Sequence, residues 1–306
     1  MNQEFIDKIY TIIDSEFVLL NEPMRDHTTF RIGGHADMLL EPTAKELPQV
    51  IEACLDEDVP YTILGNGSNV LVGDKGIRGV AIIIGKRMSA ISVEEDDGGA
   101  IVTAEAGALL SKTAHLALEN ALTGMEPLAG IPGSVGGAVL MNAGAYGGEV
   151  KDVLLDATIY TPKGAAEAVP ASELDLSYRH SAVMGTNQVI LGARFKLQRG
   201  DKDAIQAKMS DFSKRRSDKQ PLNFPSAGST FKRPEGYFAG KLIQDAGLQG
   251  YRVGGAEVST KHAGFVINAG NATAADVRQL MRDVQDKVYK DTGVTLEPEV
   301  RFIGEF

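Results

Sequence analysis

GMEPLAGIPGSVGGAVLMNAGAYGGE, residues 124–149, holds eight of the chain's 34 glycines and only two charged residues. Leu128, Ile131, Val135, Val139, Leu140 and Met141 are interleaved with those glycines, so the segment is made to pack; a flexible linker would be polar. Glycine removes the Cβ that keeps a ligand off the backbone, and successive free amides form a concavity suited to anionic oxygens. The stretch therefore reads as a buried, backbone-lined floor for a phosphate-bearing ligand. A Gly-rich turn that serves only the close packing of strands is the alternative on this stretch alone.

Upstream lies a second glycine turn, Gly65-Asn66-Gly67-Ser68-Asn69, between strand-like Tyr61–Leu64 and Val70–Val72. It is neither a G-x-G-x-x-G nor a G-x-x-x-x-G-K-[ST] turn opening a helix. Phosphate would be cupped by its amides and by Ser68 and Asn69, as a nest and not through a helix dipole. The same residues also suit a type I′ hairpin turn, and both readings stay open.

The chain has 306 residues, enough for two or three domains, and a formal net charge of -10 with no block of five basic residues. That argues against nucleic acid or an anionic membrane as the main partner, so an anionic ligand must meet local arginines or amides. The single cysteine, Cys54, excludes an internal disulfide, fits a reducing cytoplasm and reads as a small core residue. Charges interrupt the opening residues and no run approaches ~18 apolar residues, so neither signal peptide nor membrane span is expected.

Working outward, a short amphipathic helix opens the chain and Asp26–Gly34 reads as an ordered loop entering a strand near Met38. Thr43 and Glu46 form a capping box before a helix with Leu47, Val50, Ile51, Cys54 and Leu55 on one face. Strands are expected at 81–84, 101–104, 153–160 and 189–197, an acidic turn at 94–97, and a helix at 111–121. Asp201 caps a helix that turns Ile205, Met209 and Phe212 inward and ends in Lys214, Arg215 and Arg216. Residues 237–246 and a segment capped by Thr273 and closed by Gly293 read as further helices. In the terminal LEPEVRF, period two sets Leu296, Pro298, Val300 and Phe302 on one side and Glu297, Glu299 and Arg301 on the other.

Three weak chemical signals stand out. Arg179 in LSYRHS can grip a carboxylate bidentately, Ser229 follows a glycine in AGSTF, and Glu299 shares its strand face with a carboxylate and an arginine that would tune it. Each also has a bland account, as a surface arginine, a turn hydroxyl and a solvated strand face. AGSTF is not G-x-S-x-G, which disfavours a hydrolase nucleophile. The five scattered histidines, His262 in KHAGF among them, give no metal site.

Taken in order, TTFRIGG, LGNGSNVLV, the 124–149 stretch, LSYRHS, PSAGSTFKRP, GKLIQDAGLQGYRVGGAEVSTKHAGFVIN and LEPEVRF resemble the UDP-N-acetylenolpyruvoylglucosamine reductase (MurB) family of peptidoglycan synthesis, from about Asp26 to Phe306. The resemblance implies an α+β protein: an FAD-binding fold of the vanillyl-alcohol oxidase (PCMH) type in two subdomains, 1–84 and 85–200, and a C-terminal α+β substrate-binding domain, 201–306. It implies noncovalent FAD, with Gly65, Asn66, Gly67, Ser68, Asn69 and Val70 at the pyrophosphate. Gly130, Ile131, Pro132, Gly133, Ser134, Gly136, Gly137, Asn142, Ala143 and Gly144 would line the rest of the flavin. NADPH would reduce the flavin, N5 would pass hydride to C3 of an enolpyruvyl ether, and Ser229 would protonate C2 while Arg179 and Glu299 stabilise the enol intermediate. The implied partner is a small UDP-sugar; no metal, membrane or obligatory protein partner is expected, and the compartment is the cytoplasm.

Longer members of the family carry a tyrosine in an added loop over the substrate diphosphate, but no tyrosine lies between His180 and Phe224, so the chain resembles the shorter, second type. Tyr178, Arg233 and Lys241 are then the candidates for holding substrate. Two rivals are an FAD oxidase of an alcohol or lactone, whose flavin is often tethered by a histidine that GNGSN does not offer, and a nucleotide-binding module without catalysis.

Overall fold

The computed structural model describes residues 1–306. Seven α-helices form: α1 (Gln3–Ile12), α2 (Glu46–Asp56), α3 (Leu110–Glu119), α4 (Val135–Leu140), α5 (Lys202–Lys219), α6 (Ala239–Asp245) and α7 (Ala274–Thr292). The chain divides into two compact units, one of residues 1–19, 39–66 and 80–215, the other of residues 20–38, 67–79 and 216–306. It crosses from one to the other inside strands Val18–Pro23, His35–Leu40 and Ile77–Ile83, in the GNGSN turn, and inside α5.

In the first unit α1 is capped by Asn2, whose side chain accepts from Phe5 N–H, and buries Phe5 and Ile9. The capping box before α2 is present: Thr43 N–H donates to Glu46 Oε2 at 2.8 Å and Glu46 N–H to Thr43 Oγ1 at 3.4 Å. Leu47, Val50, Ile51 and Cys54 are buried as their spacing predicts, and burial pushes the Cys54 thiol up to about 12. Strand Tyr61–Leu64 runs parallel to Ile77–Ile83, with Tyr61 opposite Val80.

The unit's larger sheet is antiparallel, in the order Ala166–Pro170, Leu154–Tyr160, Val189–Arg199, Gly99–Glu105, Ile91–Asp96, with Leu122–Thr123 paired to the far end of Val189–Arg199. Val102, Phe195 and Leu197 face its core at period two. Fully burying a side chain the size of Phe195 contributes roughly 1.5–3 kcal/mol. The expected acidic turn is for the most part a strand: Glu94, Glu95 and Asp96 pair with Ile101, Ala100 and Gly99. Their charges lie on an edge strand, where charge hinders further pairing, and only the corner beyond Asp96 turns.

In the second unit an antiparallel sheet runs in the order Ser226–Ser229, Phe265–Asn268, Ala256–Val258, Arg252–Val253. Helix α7 covers it with Val277, Leu280, Met281, Val284 and Val288, packed in one cluster with Phe30, Phe231, Ile243 and Leu296. The α7 N-terminus has two sets of acceptors. Thr273 and Asp276 form a capping box, and Asp74 accepts from the N–H groups of Ala274 and Ala275 at 2.7 and 2.9 Å. Gly293, with φ 73°, closes the helix as expected.

Two expectations fail here. Val70–Val72 pairs in parallel with Arg301–Ile303 and not with Tyr61–Leu64, so GNGSN is not a hairpin turn. LEPEVRF is a strand only over its last two residues, at the start of Arg301–Ile303. Before them the backbone is irregular, Glu299 and Val300 are both buried, and Glu297 is exposed in an ion pair with Lys232 at 3.2 Å. Period two therefore does not place Glu297 and Glu299 on one face.

Candidate active site

The glycine stretch contains a helix. Ser134 caps α4, its Oγ accepting from Gly137 N–H at 3.5 Å. Gly136 N–H donates to the Ala106 carbonyl at 2.8 Å, and a Cβ on Gly136 would lie 2.9 Å from that of Ala106. Close packing, the alternative reading, is thus the account of Gly136. Gly130, Pro132 and Gly137 are exposed and Ile131 and Gly133 half-buried, so the surface is open on one side and not the buried floor expected.

Two distant loops meet at this place. Asn66 Nδ2 donates to the Pro132 carbonyl at 2.8 Å across 66 residues of chain, and Ser134 Oγ comes so near Gly65 that a Cβ there would lie 2.3 Å from it. Only glycine fits at 65. The result is a bed of main chain and small polar groups with no carboxylate of its own among residues 65–66 and 130–137, which suits a diphosphate-bearing cofactor.

The second half of GNGSN belongs to the other unit. The Gly67 carbonyl accepts from Thr29 N–H at 3.1 Å, which ties in the TTFRIGG loop, and Thr29 Oγ1 donates to the Ser226 carbonyl at 2.7 Å. Asn69 Nδ2 donates to the Glu299 carbonyl at 3.2 Å, and Asn69's own carbonyl accepts from Arg301 N–H at 2.9 Å. Glu299 N–H donates to the Thr230 carbonyl at 2.9 Å, and Phe231 bridges Pro298. Ser229 and Glu299, 70 positions apart, thus flank one short antiparallel contact beside Asn69.

Ser229 sits at the end of an edge strand opposite Phe265, after a register shift that separates it from Ser226. Such a bulge re-aims a side chain, and Ser229 is exposed while Ala227 and Thr230 are buried. Thr230 anchors the bulge, its Oγ1 accepting from Val266 N–H at 2.9 Å. Glu299, 9 % exposed, is one of few buried carboxylates in the chain.

Arg179 lies in the first unit, with φ 56°, in a tight turn where Ser177 and His180 exchange backbone hydrogen bonds of 3.3 and 3.1 Å. A non-glycine residue in the left-handed region is uncommon and costs energy, and Arg179 is one of ten in the chain. Its guanidinium is 5.0 Å from the centroid of exposed Tyr178. The Glu149 carboxyl is held below the ordinary 4.5 first by its hydrogen bond to Lys151, against burial, then by Asn142 and by the charges of Lys151 and Arg179.

Asn142 is fully buried, with Nδ2 donating to Glu149 Oε2 at 3.0 Å and to the Ser177 carbonyl at 3.1 Å, and Oδ1 accepting from Lys151 N–H at 2.9 Å. Ala143 N–H and the Ala143 carbonyl are both bonded internally, and Gly144 is paired opposite Glu149. Nothing in the residue order around MNAG signalled this network. In the second unit Arg233 Nε donates to the Tyr237 carbonyl at 3.3 Å with its guanidinium 4.0 Å over exposed Phe238, and Lys241 is paired with Asp245 one helical turn on.

The mixed helix and strand architecture is that of an oxidoreductase on an FAD-binding fold of the vanillyl-alcohol oxidase type, as expected from the sequence. Residues 37–169 match the family described as FAD binding domain, and residues 220–303 match the C-terminal domain of UDP-N-acetylenolpyruvoylglucosamine reductase. The reductase of that name from Agathobacter rectalis is 55% identical over 314 residues, covering 100% of both chains. The crystal structure of the UDP-N-acetylenolpyruvylglucosamine reductase from Thermus caldophilus superposes with a TM-score of 0.78 at 34% identity, over 93% of this chain and 97% of that one. A structure of alkyldihydroxyacetonephosphate synthase, at 15% identity over 65% of this chain and 41% of its own, shares the fold with a TM-score of 0.51. The chain belongs to the UDP-N-acetylenolpyruvoylglucosamine reductase family.

Proposed function

We propose that the protein reduces the enolpyruvyl ether of UDP-N-acetylglucosamine enolpyruvate to UDP-N-acetylmuramate with NADPH as reductant, in peptidoglycan precursor synthesis. The observation that supports this reading most directly is the hydrogen bond from Glu299 N–H to the carbonyl of Thr230, the residue after Ser229, next to Asn69 in a chain with full-length relatives of that name. Gly65, Asn66 and residues 130–137 are proposed to hold FAD, whose diphosphate fits a bed of small residues without carboxylates. Bound there, FAD would supply the two-electron hydride chemistry between NADPH and C3 of the enolpyruvyl group.

What remains belongs to the chain's own residues. Hydride at C3 leaves an enolate that needs one proton at C2, and Ser229, exposed on its bulge, is the proposed donor, regaining the proton from solvent. Arg179 offers fixed positive charge and Glu299 a hydrogen-bonding carboxyl to that enolate, interactions strongest in the transition state. Residues 201–306 are proposed as the substrate-binding part, after the two FAD-binding subdomains 1–84 and 85–200. Arg233, with Tyr178 and Lys241, is the proposed grip on substrate; Lys241 brings Asp245 with it, so Arg233 bears most of the task. Arg233→Ala should raise KM for the enolpyruvyl substrate several-fold with a smaller change in kcat. With no dinucleotide fingerprint elsewhere, NADPH and substrate are proposed to use one pocket in turn, in the cytoplasm.

An anaerobic absorbance titration tests the reading. Flavin bands should bleach on adding NADPH and return on adding UDP-N-acetylglucosamine enolpyruvate. Return with oxygen only would make the protein an oxidase, and a protein that takes up no FAD would end the proposal.

A further inference from the structure

The buried amide of Asn142 joins three things: the Glu149 carboxylate, the carbonyl at the base of the turn that carries Arg179, and the Lys151 N–H that opens the following segment. All three bonds use the side chain, and the residue holds φ 40° to make them. Both of its N–H donors are used, and the completely buried side chain has no N–H left to offer a flavin. Its partners instead lie on either side of Arg179: Ser177 two residues before it in the chain, and Glu149, whose carboxylate feels the Arg179 charge.

We propose that Asn142 is a positioning residue for Arg179 and not a cofactor ligand. It locks the 177–180 turn onto the Gly144–Glu149 hairpin and aims the Glu149 carboxylate, so that the guanidinium is held in one place against a fixed counter-charge. Lys151, ion-paired with Glu149 at 2.7 Å, keeps that carboxylate ionised, and Asp175 and His180, paired with each other at 3.3 Å, are the other charged groups on the turn. The inference rests on the proposed role of Arg179 at the enolate; a cation displaced by about 1 Å from its optimum costs a reaction on the order of 100-fold.

The test separates the two half-reactions of the FAD-loaded enzyme. Asn142→Gly removes the amide and leaves a backbone content with positive φ, so the turn is not strained by the substitution itself. FAD affinity and the flavin spectrum should be unchanged and reduction by NADPH within about two-fold of the parent, while reoxidation by the enolpyruvyl substrate slows roughly 10- to 100-fold. The double variant with Arg179→Met should be no slower than Arg179→Met alone, because the amide acts only through that arginine. Asn142→Asp, which keeps one acceptor but faces the Glu149 carboxylate, should be as slow as the glycine variant. Loss of FAD affinity, or equal slowing of both half-reactions, overturns the positioning role and leaves the Arg179 reading standing. Unchanged reoxidation in Arg179→Met overturns that reading and this inference with it.

Discussion

Ser229 is made available by its neighbours' burial. The bulge turns it out to solvent while Thr230, one residue on, is spent inside on Val266 and Gly264. Ser229→Ala should leave NADPH-driven bleaching intact and slow substrate-driven recovery by about 100- to 10,000-fold, the range a positioned acid provides, as read by anaerobic stopped flow. Among single residues, legibility depended on what the signal was. Ser229 stands out because a hydroxyl after glycine in a small-residue turn is conspicuous. The face that period two gave Glu299 is not there: its supposed partner Glu297 is exposed and paired with Lys232, since the backbone before Arg301 is not a regular strand. The family resemblance alone places Asn142 at the flavin; its burial and its partners on other segments leave no trace in local order.

At the scale of elements, α7 has the clearest sequence signature. Its apolar positions, Thr273 and Gly293 fix both ends and the inward face, but Asp74, which binds the same N-terminus, is 200 residues away and no local pattern announces it. Asp74→Ala should cost about 1–2 kcal/mol, seen as a lower urea midpoint, because two helix N–H groups lose a charged acceptor. Asp74→Asn should recover part of the loss. Elements without periodicity were missed. Strand Ala166–Pro170 is exposed at almost every residue, so it shows no alternation, and α4 is built on glycines that disfavour helix until packing against Ala106 and Ala108 decides the matter.

Taken whole, the molecule owes part of its stability to carboxylates held ionised. Burial alone would raise Glu46 and Glu126. Hydrogen bonds from Thr43 and Arg87 to the first, and from main-chain N–H groups, Thr123 and Lys208 to the second, outweigh it and lower both from 4.5. Glu149 and Asp276 are lowered too, from 4.5 and 3.8. A lowered carboxyl stabilises the fold above its unfolded value and loses that contribution as pH falls through the folded one. His262 is lowered from 6.5, chiefly by burial, so it favours the fold above 6.5 and withdraws that support as pH falls below. The urea midpoint should therefore be flat from 6.5 up to 9.0, where the buried Cys54 thiol begins to withdraw support, and should decline gently below 6.5 and steeply below 4.5. A midpoint that rises on acidification would contradict this assignment.

The passage of the chain back and forth between its two units, through strand interiors and α5, also sets a schedule for biosynthesis. Segments 20–38 and 67–79 leave the ribosome early, but the sheet, α7 and terminal strand they join come from the last 91 residues. At ~5–20 residues per second, Asp74 waits on the order of 10–40 s for the helix it caps. A nascent chain halted at residue 215 would display those two segments without their partners. Their apolar residues, Phe30, Ile32 and Leu71 among them, are then a natural target for chaperones, and the second unit closes only after residues 216–306 have been made.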